Sequence, residues 1–405
     1  MLFFYNCFSR FLLVLFPFSF VTGVFLPNLI VFILILITIF LKFEELKKTF
    51  TEFKKFVIYF FLFYILMLLS SIFSESIYHS LETSLLYFAY ALYVFALIIF
   101  FRSDEKNLLI FFYAFLFCFF TISIDAVYEL IHGHNILGFS SIEGRIAGFF
   151  NDRWVIGSYL VRFLPILVGI FFLNLNRFSI YTKFFTYFVI ILSSLIIIFS
   201  GERVAYLLLL LFFFIIFLFF LFKKRSLKSS FLLILIITSF FALPFLISEK
   251  TSSRLKSNIY DYMTNYSLET NQYYALYQTS LNMFVNSPII GVGPNNFRKE
   301  CNNPDIKISK YSCSTHPHNT YFQLLAELGI LGFLSIFSVF IFFCYTLYNL
   351  LIDKYRSRII FGKVVITSAF ILNLWPFIPT GNFFSSWMGF IYFLPLSLFL
   401  IYKKY

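Results

Sequence analysis

The chain has 405 residues, of which 60% are hydrophobic and only 12% are charged. Soluble globular proteins carry about 45–50% apolar and about 25% charged residues, so this composition excludes a water-soluble fold. Uninterrupted apolar runs such as NLIVFILILITIFL approach the length of a transmembrane helix, and their continuity excludes an alternating β-barrel. The net charge of +12 comes mostly from Lys and Arg that flank these runs, which indicates membrane orientation and no nucleic-acid partner.

In chain order, apolar windows predict an all-α polytopic protein with about twelve transmembrane helices in contact with membrane lipids. The predicted spans are 8–22, 24–41, 56–73, 83–101, 108–131, 154–173, 184–200, 204–222, 230–247, 321–350, 360–379 and 386–402. Segments rich in Lys and Arg then fall on one side of the membrane, at 42–55, 102–106, 223–228, 353–358 and the C-terminal tail. The positive-inside rule therefore predicts cytoplasmic N- and C-termini.

This layout divides the chain into helices 1–9 over residues 1–247, one large outer loop over 248–320, and helices 10–12 over 321–405. The loop contains a helix-like stretch, NQYYALYQTSLNMFVNS, and a turn-like stretch, PIIGVGPNN. Cys301 and Cys313 also lie in the loop. An oxidising compartment would allow these two thiols to form a disulfide.

Two of the five histidines, His316 and His318, stand in HPHNTYFQLLAELGILG, directly before the tenth predicted span. Thr320 and Gln323 fit a T-x-x-Q capping box, which predicts a helix start at this point. The positive end of a helix dipole disfavours protonation of His318, and a neutral imidazole can act as a general base. Asn319 would orient that imidazole or contact a substrate. The alternative is that His318 is an interfacial polar residue.

Arginines on the predicted outer side are the second candidate feature. The stretch SGERVAYLLLL places Glu202 and Arg203 between two spans, on the side where positive charge is scarce. A guanidinium there can hold a phosphate or diphosphate through two parallel hydrogen bonds. The alternatives are a salt bridge with Glu202 or contact with lipid headgroups. Arg145 and Arg254 add to an outer surface rich in cations, which suits an anionic, lipid-linked substrate.

Other chemistries have little support in the sequence. His132 and His134 form an H-x-H pair without a nearby third ligand, so we expect no metal and no cofactor. Asp125, Glu129 and Glu327 are carboxylates within predicted spans, where charge is costly. They indicate contact with the cationic surface or a proton path, and a structural partner for an arginine is the alternative. A transporter of lipid-linked glycans is disfavoured because the chain has no repeated halves.

The motifs resemble those of the bacterial O-antigen ligase and O-antigen polymerase superfamily. NSPIIGVGPNNF followed by HPHNTYFQLLAELGILG is similar to its signature. His318, Asn319, Gly329 and Gly332 fit the ligase pattern position by position. SGERVA and GRIAGFFND resemble two further elements of the family. The resemblance covers three short motifs and the topology of most of the chain.

The resemblance implies a fold related to the C-type glycosyltransferases and a metal-independent glycan transfer at the periplasmic face of a bacterial inner membrane. The donor would be a glycan on undecaprenyl diphosphate. The acceptor would be lipid A-core for a ligase, another lipid-linked glycan for a polymerase, or a protein hydroxyl for an O-oligosaccharyltransferase. His318 would be the catalytic base, and Arg203 would hold the diphosphate. Family members often carry a second arginine where this chain has Tyr273, so Arg254 or Arg145 is expected to replace it.

Overall fold

The computed structural model describes residues 2–140, 145–151, 153–222, 271–355 and 357–403, so the predicted span at 230–247 lies outside it. The first seven helices are α1 (Leu2–Ser19), α2 (Phe25–Leu41), α3 (Phe43–Glu52), α4 (Lys54–Ile72), α5 (Ile77–Tyr87), α6 (Ala89–Ser103) and α7 (Glu105–His132). They are followed by α8 (Ile156–Leu173), α9 (Ile180–Phe199), α10 (Arg203–Phe222), α11 (Gln272–Asn286), α12 (Phe297–Glu300), α13 (Thr320–Ile352), α14 (Arg358–Asn373) and α15 (Ser386–Lys403).

The described residues form an all-α polytopic membrane protein, which confirms the predicted fold class. Among the described residues, eight helical segments are long and apolar enough to cross a membrane, one of them formed by α5 and α6 together. The bent pair of α2 and α3 makes a ninth candidate if it counts as one span. The helix α15 is apolar but shorter. The total of twelve spans stays a prediction.

Three of the differences from the predicted boundaries change the layout. The segment 42–55 contains a helix, α3, which bends away from α2 by 101°. The segment 74–82 was expected to be a loop, but α5 already begins at Ile77 within it. The predicted span 360–379 is wrong at its end, because α14 stops at Asn373. Pro376 explains this stop, since a proline cannot continue a helix and restricts the residue before it.

Successive spans alternate in direction, so the carboxyl ends of α7, α9 and α14 meet the amino ends of α8, α10, α13 and α15 at one end of the bundle. We call this the site end and the opposite end the far end. The helix α8 is the most enclosed of the spans and packs against α7, α9 and α14. Aromatic rings close the core around it, among them Phe20, Tyr159, Phe163 and Trp387. The core thus supports the amino end of α8 from several sides.

A break in α13 fixes the turn 288–293 to the bundle. Gly329 has φ 64° and ψ −162°, which interrupts the helix. The carbonyls of Ala326 and Glu327, freed by this break, each accept a 3.0 Å hydrogen bond from the turn, at the backbone N–H groups of Val292 and Gly293. A Cβ on residue 291 or 329 would collide with the opposing backbone. Gly291 of PIIGVG and Gly329 of AELGILG are therefore required by one close approach.

Candidate functional site

His318 lies directly before α13 with a left-handed backbone, at φ 58°. Residues that carry a Cβ seldom adopt this conformation, which costs on the order of 1–3 kcal/mol. The carbonyl of His318 accepts a 2.8 Å hydrogen bond from the backbone N–H of Thr380. The loop 374–385 between α14 and α15 therefore holds the strained residue in place, and such strain is concentrated at functional sites.

The imidazole of His318 is half-buried and has one protein partner. Its Nε2 lies 3.3 Å from Ser314 Oγ, while within the described part of the chain the other ring nitrogen has none. The ring of Tyr273 stands edge-on, with the centroids 6.1 Å apart. Burial lowers the pKa of His318 from its usual 6.5, so the ring is neutral at pH 7. The cause is removal from water, whereas the sequence argument invoked the helix dipole.

His316 is more deeply enclosed, and both of its ring nitrogens have partners. Nε2 lies 3.1 Å from the carbonyl oxygen of Thr380 and Nδ1 lies 2.9 Å from Thr315 Oγ1. Because a carbonyl only accepts, Nε2 carries the hydrogen and Nδ1 accepts from the hydroxyl. Burial, followed by the charge of His318, lowers the pKa of His316 to about 4. His316 packs against His318 at 4.2 Å between centroids, so it fixes the position of that ring.

The cap of α13 is Asn319, so the predicted capping box of Thr320 and Gln323 is wrong. Asn319 Oδ1 accepts from the backbone N–H groups of Tyr321 at 2.9 Å and Phe322 at 3.3 Å. Its Nδ2 donates to the carbonyl of Pro376 at 2.9 Å. The amide oxygen thus accepts two hydrogen bonds from α13 and the amide nitrogen donates one to the 374–385 loop, which favours a positioning role over the predicted contact with substrate.

Gln323 belongs to a buried polar network. Its Nε2 donates to Glu327 at 2.9 Å and to Asn382 at 2.7 Å, and its Oε1 accepts from the N–H of Phe383 at 2.9 Å. Only tertiary structure brings the residues of the 374–385 loop to this side chain. This explains why the local T-x-x-Q pattern misled the sequence analysis.

Glu327 holds the turn that follows residues 288–293. Its carboxylate accepts from the backbone N–H groups of Phe297 at 2.8 Å and Asn295 at 3.0 Å. No arginine lies within ion-pair distance of Glu327 among the described residues, although the charge of Arg298 acts on it. A structural arginine partner for Glu327, which was the alternative expected from the sequence, is therefore absent among the described residues. Backbone N–H groups bind the carboxylate instead.

Glu202 caps the amino end of α8. Its carboxylate accepts from Gly157 N at 2.6 Å, Ser158 N at 3.1 Å and Ser158 Oγ at 2.6 Å. Burial raises the pKa of Glu202 to about 7 against the effect of these hydrogen bonds. Arg203 begins α10, is exposed and makes no salt bridge with Glu202. That predicted alternative is therefore wrong, and the guanidinium is available to a ligand.

Arg145 lies beside Glu202. Its guanidinium carbon is 4.9 Å from the centre of the Trp154 ring, its Nε is buried without a hydrogen-bond partner, and its charge acts on Glu202. Arg254 lies outside the described residues. Of the predicted site residues, Arg145, Glu202 and Arg203 therefore form one group at the site end, and His316, His318 and Asn319 form another.

The two carboxylates of α7 support the segment that carries Arg145. Glu129 accepts from the N–H groups of Ala147 at 3.2 Å and Gly148 at 2.7 Å, and Asp125 accepts from Ile136 N at 3.0 Å. Neither carboxylate forms an ion pair within the described residues. These contacts favour a structural role for both over a proton path.

The structure adds two arginines that the sequence analysis did not single out as site residues. Arg162 is buried in α8, and its NH1 donates to Asn373 Oδ1 at 2.7 Å. Arg298 is exposed, but its charge acts on both His316 and Glu327. Arg162 did have a signal, since a charged residue inside an apolar span, YLVRFLPILVG, is itself a functional indication.

Cys301 and Cys313 form a disulfide in the segment before the histidines, with their Cα atoms 5.1 Å apart. This pairing agrees with the hypothesis drawn from the sequence. The enclosed segment is packed against α11 and α13 through Leu276, Phe297 and Ala326. The disulfide therefore restrains the chain that leads to His316 and His318.

Comparison with known proteins finds one family model, described as O-antigen ligase, which matches residues 188–337. This range includes Arg203, the turn 288–293 and His318. A search of curated proteins finds no match to the chain.

Proposed function

We propose that the chain is an O-antigen ligase, because residues 188–337 match the O-antigen ligase family model. Its donor would be a glycan on undecaprenyl diphosphate, and its acceptor would be lipid A-core. Proteins of the family act on lipid-linked glycans, which supports this class of donor. The reaction would take place at the periplasmic face of a bacterial inner membrane and without a metal.

The observation that carries the proposal is the environment of His318. The residue is held in a strained backbone conformation, its ring is neutral at pH 7, and one ring nitrogen has no partner in the described part of the chain. A half-buried neutral imidazole of this kind can accept a proton from an acceptor hydroxyl. The neighbouring His316 differs from His318, because both of its ring nitrogens have hydrogen-bond partners within the protein.

In the proposed reaction, His318 accepts the proton of the acceptor hydroxyl while the oxygen attacks the anomeric carbon of the donor sugar. The bond between that carbon and the diphosphate oxygen breaks, and the electron pair leaves with undecaprenyl diphosphate. Arg203 would stabilise the negative charge on the departing diphosphate. The proton on His318 then passes to solvent, which returns the base to its neutral form.

The distribution of charge supports the proposed orientation. Lys and Arg are abundant at the far end, among them Arg10, Lys42, Lys47, Arg102 and Arg177. The positive-inside rule would place that end in the cytoplasm together with both termini. The site end would then face the periplasm, where a lipid-linked donor meets its acceptor.

An O-antigen polymerase is the second candidate, because the same superfamily and the same base would serve both reactions. The ligase is preferred because His318, Asn319, Gly329 and Gly332 fit the ligase pattern together. The two enzymes differ in acceptor, so their absence leaves different products. A protein O-oligosaccharyltransferase would transfer to neither of these glycolipid acceptors.

The test is complementation of a deletion strain with wild type, His318→Ala or the control His132→Ala at matched expression. His132 is an exposed histidine at the same end, stacked on Tyr128 and outside the proposed machinery. We expect His318→Ala to lower transfer by about 10²–10⁴-fold and His132→Ala to behave as wild type. Lipopolysaccharide is resolved on a gel, and lipid-linked glycan is quantified by mass spectrometry.

A ligase predicts that the deletion strain has bare core and accumulates lipid-linked glycan, and that only wild type and His132→Ala restore long chains. Core capped with one repeat unit would identify a polymerase instead. Normal lipopolysaccharide in the deletion strain would rule out both. Normal transfer by His318→Ala would remove His318 from the catalytic role.

A further inference from the structure

Arg162 is a buried guanidinium inside a membrane-spanning helix. It lies on α8, about 9 Å along the axis from the start of that helix, and only 4% of its surface is exposed. A charge in this position is costly unless it is paired and hydrogen-bonded. The residue therefore needs an explanation from its surroundings.

The described residues satisfy only part of the hydrogen-bonding capacity of the Arg162 guanidinium. One guanidinium nitrogen, NH1, donates to Asn373 Oδ1 at 2.7 Å, and within the described residues the other nitrogens have no hydrogen-bond partner. No carboxylate there lies within ion-pair distance of Arg162. Glu202 is the acidic group whose charge acts on it, but that carboxylate already accepts three hydrogen bonds from the start of α8.

The carboxyl end of α14 contributes a partial negative charge next to Arg162, because Asn373 is its last residue. A helix terminus carries only about half an elementary charge, so it does not neutralise a guanidinium. The remaining donors match what a phosphate oxygen requires, since guanidinium binds phosphate through paired hydrogen bonds. An anionic ligand would complete the site.

Arg162 also lies between the two groups of predicted site residues. On one side is Glu202, which precedes Arg203. On the other side is Tyr392, which interacts electrostatically with Arg162 and whose hydroxyl lies 3.3 Å from Thr320 Oγ1. Thr320 Oγ1 is 3.0 Å from Thr380 Oγ1, and Thr380 donates to the His318 carbonyl. A set of polar contacts therefore leads from Tyr392 to the loop that holds the imidazole.

We propose that Arg162, with Asn373 beside it, forms a buried subsite for the diphosphate of a polyprenyl diphosphate donor. This inference rests on the proposed function for the identity of the donor. Arg203 would contact the diphosphate from the exposed side and Arg162 from within the bundle. Arg162 thereby takes the place of the second arginine that this chain lacks at Tyr273, ahead of the sequence-based candidates Arg145 and Arg254.

The test measures binding, so it does not depend on glycan transfer. The full chain is placed in nanodiscs of phosphatidylcholine and titrated with undecaprenyl diphosphate, undecaprenyl phosphate, inorganic pyrophosphate and phosphatidylglycerol, with thermal stability as the readout. The variants are Arg162→Gln, Arg162→Lys and Asn373→Asp. Arg177→Gln is the control, because Arg177 is a far-end arginine paired with Glu105 at 3.0 Å.

We expect wild type and Arg177→Gln to bind undecaprenyl diphosphate at least tenfold more tightly than the monophosphate. Arg162→Gln should lose on the order of tenfold to hundredfold in affinity for the diphosphate, with Arg162→Lys in between. Asn373→Asp is the sharper variant, because it gives the buried guanidinium an acidic partner. It should keep or raise thermal stability and still lose diphosphate affinity, which a purely structural Arg162 does not predict.

Several results would overturn the inference. Wild-type diphosphate affinity in Arg162→Gln, or in Asn373→Asp if Arg162→Gln fails to fold, would exclude a direct contact. Equal competition by phosphatidylglycerol would reduce the site to a general headgroup contact, and pyrophosphate binding without the lipid form would exclude a lipid-linked donor. If wild type transfers glycan while the variants bind normally, only this inference fails. If the variants lose diphosphate binding while wild type transfers no glycan, the proposed function fails and the subsite stands.

Discussion

Carboxylates have different partners at the two ends of the molecule. At the far end, cations are paired with carboxylates. All five ion pairs among the described residues lie there: Arg10–Asp104, Lys42–Glu45, Lys47–Glu44, Arg102–Glu52 and Arg177–Glu105. At the site end, described carboxylates instead accept hydrogen bonds from backbone N–H groups, at Asp125, Glu129, Glu202 and Glu327.

The different partners of the carboxylates explain why arginines at the site end have no acidic partner. Backbone N–H groups donate to all four carboxylates, which thereby stabilise turns and helix ends and leave guanidinium groups without an acidic partner. Of the carboxylate oxygens, Asp125 Oδ2 is buried without a hydrogen-bond partner among the described residues. Within the described residues, Arg145, Arg162 and Arg203 form no ion pair. Partly exposed ion pairs contribute little to stability, so the far end is best explained by orientation and the site end by ligand binding.

Substitution of Arg203 tests whether this difference between the two ends matters for catalysis. Arg203→Lys keeps the positive charge but loses the paired hydrogen bonds to a diphosphate. We expect it to lower the rate of glycan transfer by on the order of a hundredfold, because two charged hydrogen bonds of about 1.5–3 kcal/mol become a point contact. The measurement is transfer of labelled glycan from undecaprenyl diphosphate to acceptor by membranes containing the variant.

Arg177→Lys is the matched control at the far end, where the partner is the exposed Glu105. It should transfer at the wild-type rate, since an exposed ion pair tolerates this exchange. If Arg203→Lys also kept wild-type turnover, Arg203 would be a charge without a specific contact. The contrast between the two ends would then have no consequence for catalysis.

The second prediction concerns protein stability and compares a carboxylate at each end of the molecule. Glu202→Ala leaves the N–H groups of Gly157 and Ser158 and the Ser158 hydroxyl without their acceptor. For a half-buried site we expect a loss of about 2 kcal/mol in stability, seen as a lower unfolding temperature of the purified protein. Glu105→Ala, at the far end, should leave the unfolding temperature unchanged. Equal effects at both positions would contradict the distinction.

The sequence predicted the fold class well because span length and apolar continuity are local signals. The helical stretch at 271–287 was accessible for the same reason, and α11 lies at Gln272–Asn286. The break at Gly329 was not predicted, because 321–350 was expected to be one continuous span. The end of α14 was missed, although Pro376 was a visible signal for it. The direction of α3 was not predicted, because no residue pattern in the segment 42–55 indicates the 101° bend between α2 and α3.

The candidate site was predicted in part. Motif position identified His318 and Arg203 as candidates, whose roles stay proposals, but partners were predicted poorly. Asn319 replaced the expected capping box because its side chain reaches two N–H groups of α13. A salt bridge between Glu202 and Arg203 was one expected alternative. The Glu202 carboxylate instead accepts hydrogen bonds from the start of α8, which is distant in sequence. Such contacts depend on tertiary structure, and a local pattern cannot specify them.

The last prediction concerns the dependence of glycan transfer on pH, where the expected change is small. Burial lowers the pKa of His318 below its usual 6.5. Because only the neutral imidazole accepts a proton, activity should persist as the pH falls below 6.5 and decline only when the pH passes the lowered pKa. Tyr273→Ala removes a ring that stands 6.1 Å from His318, which admits water and should move this acid limb upward toward 6.5.

The pH profile also separates the two groups of residues at the site end. Glu202 has a pKa raised to about 7 by burial, so its titration falls above that of His318. A limb near 7 that disappears in Glu202→Gln would belong to Glu202, whereas a limb below 6.5 that moves in Tyr273→Ala belongs to His318. An acid limb above 6.5 that neither variant moves would show that another group supplies the base.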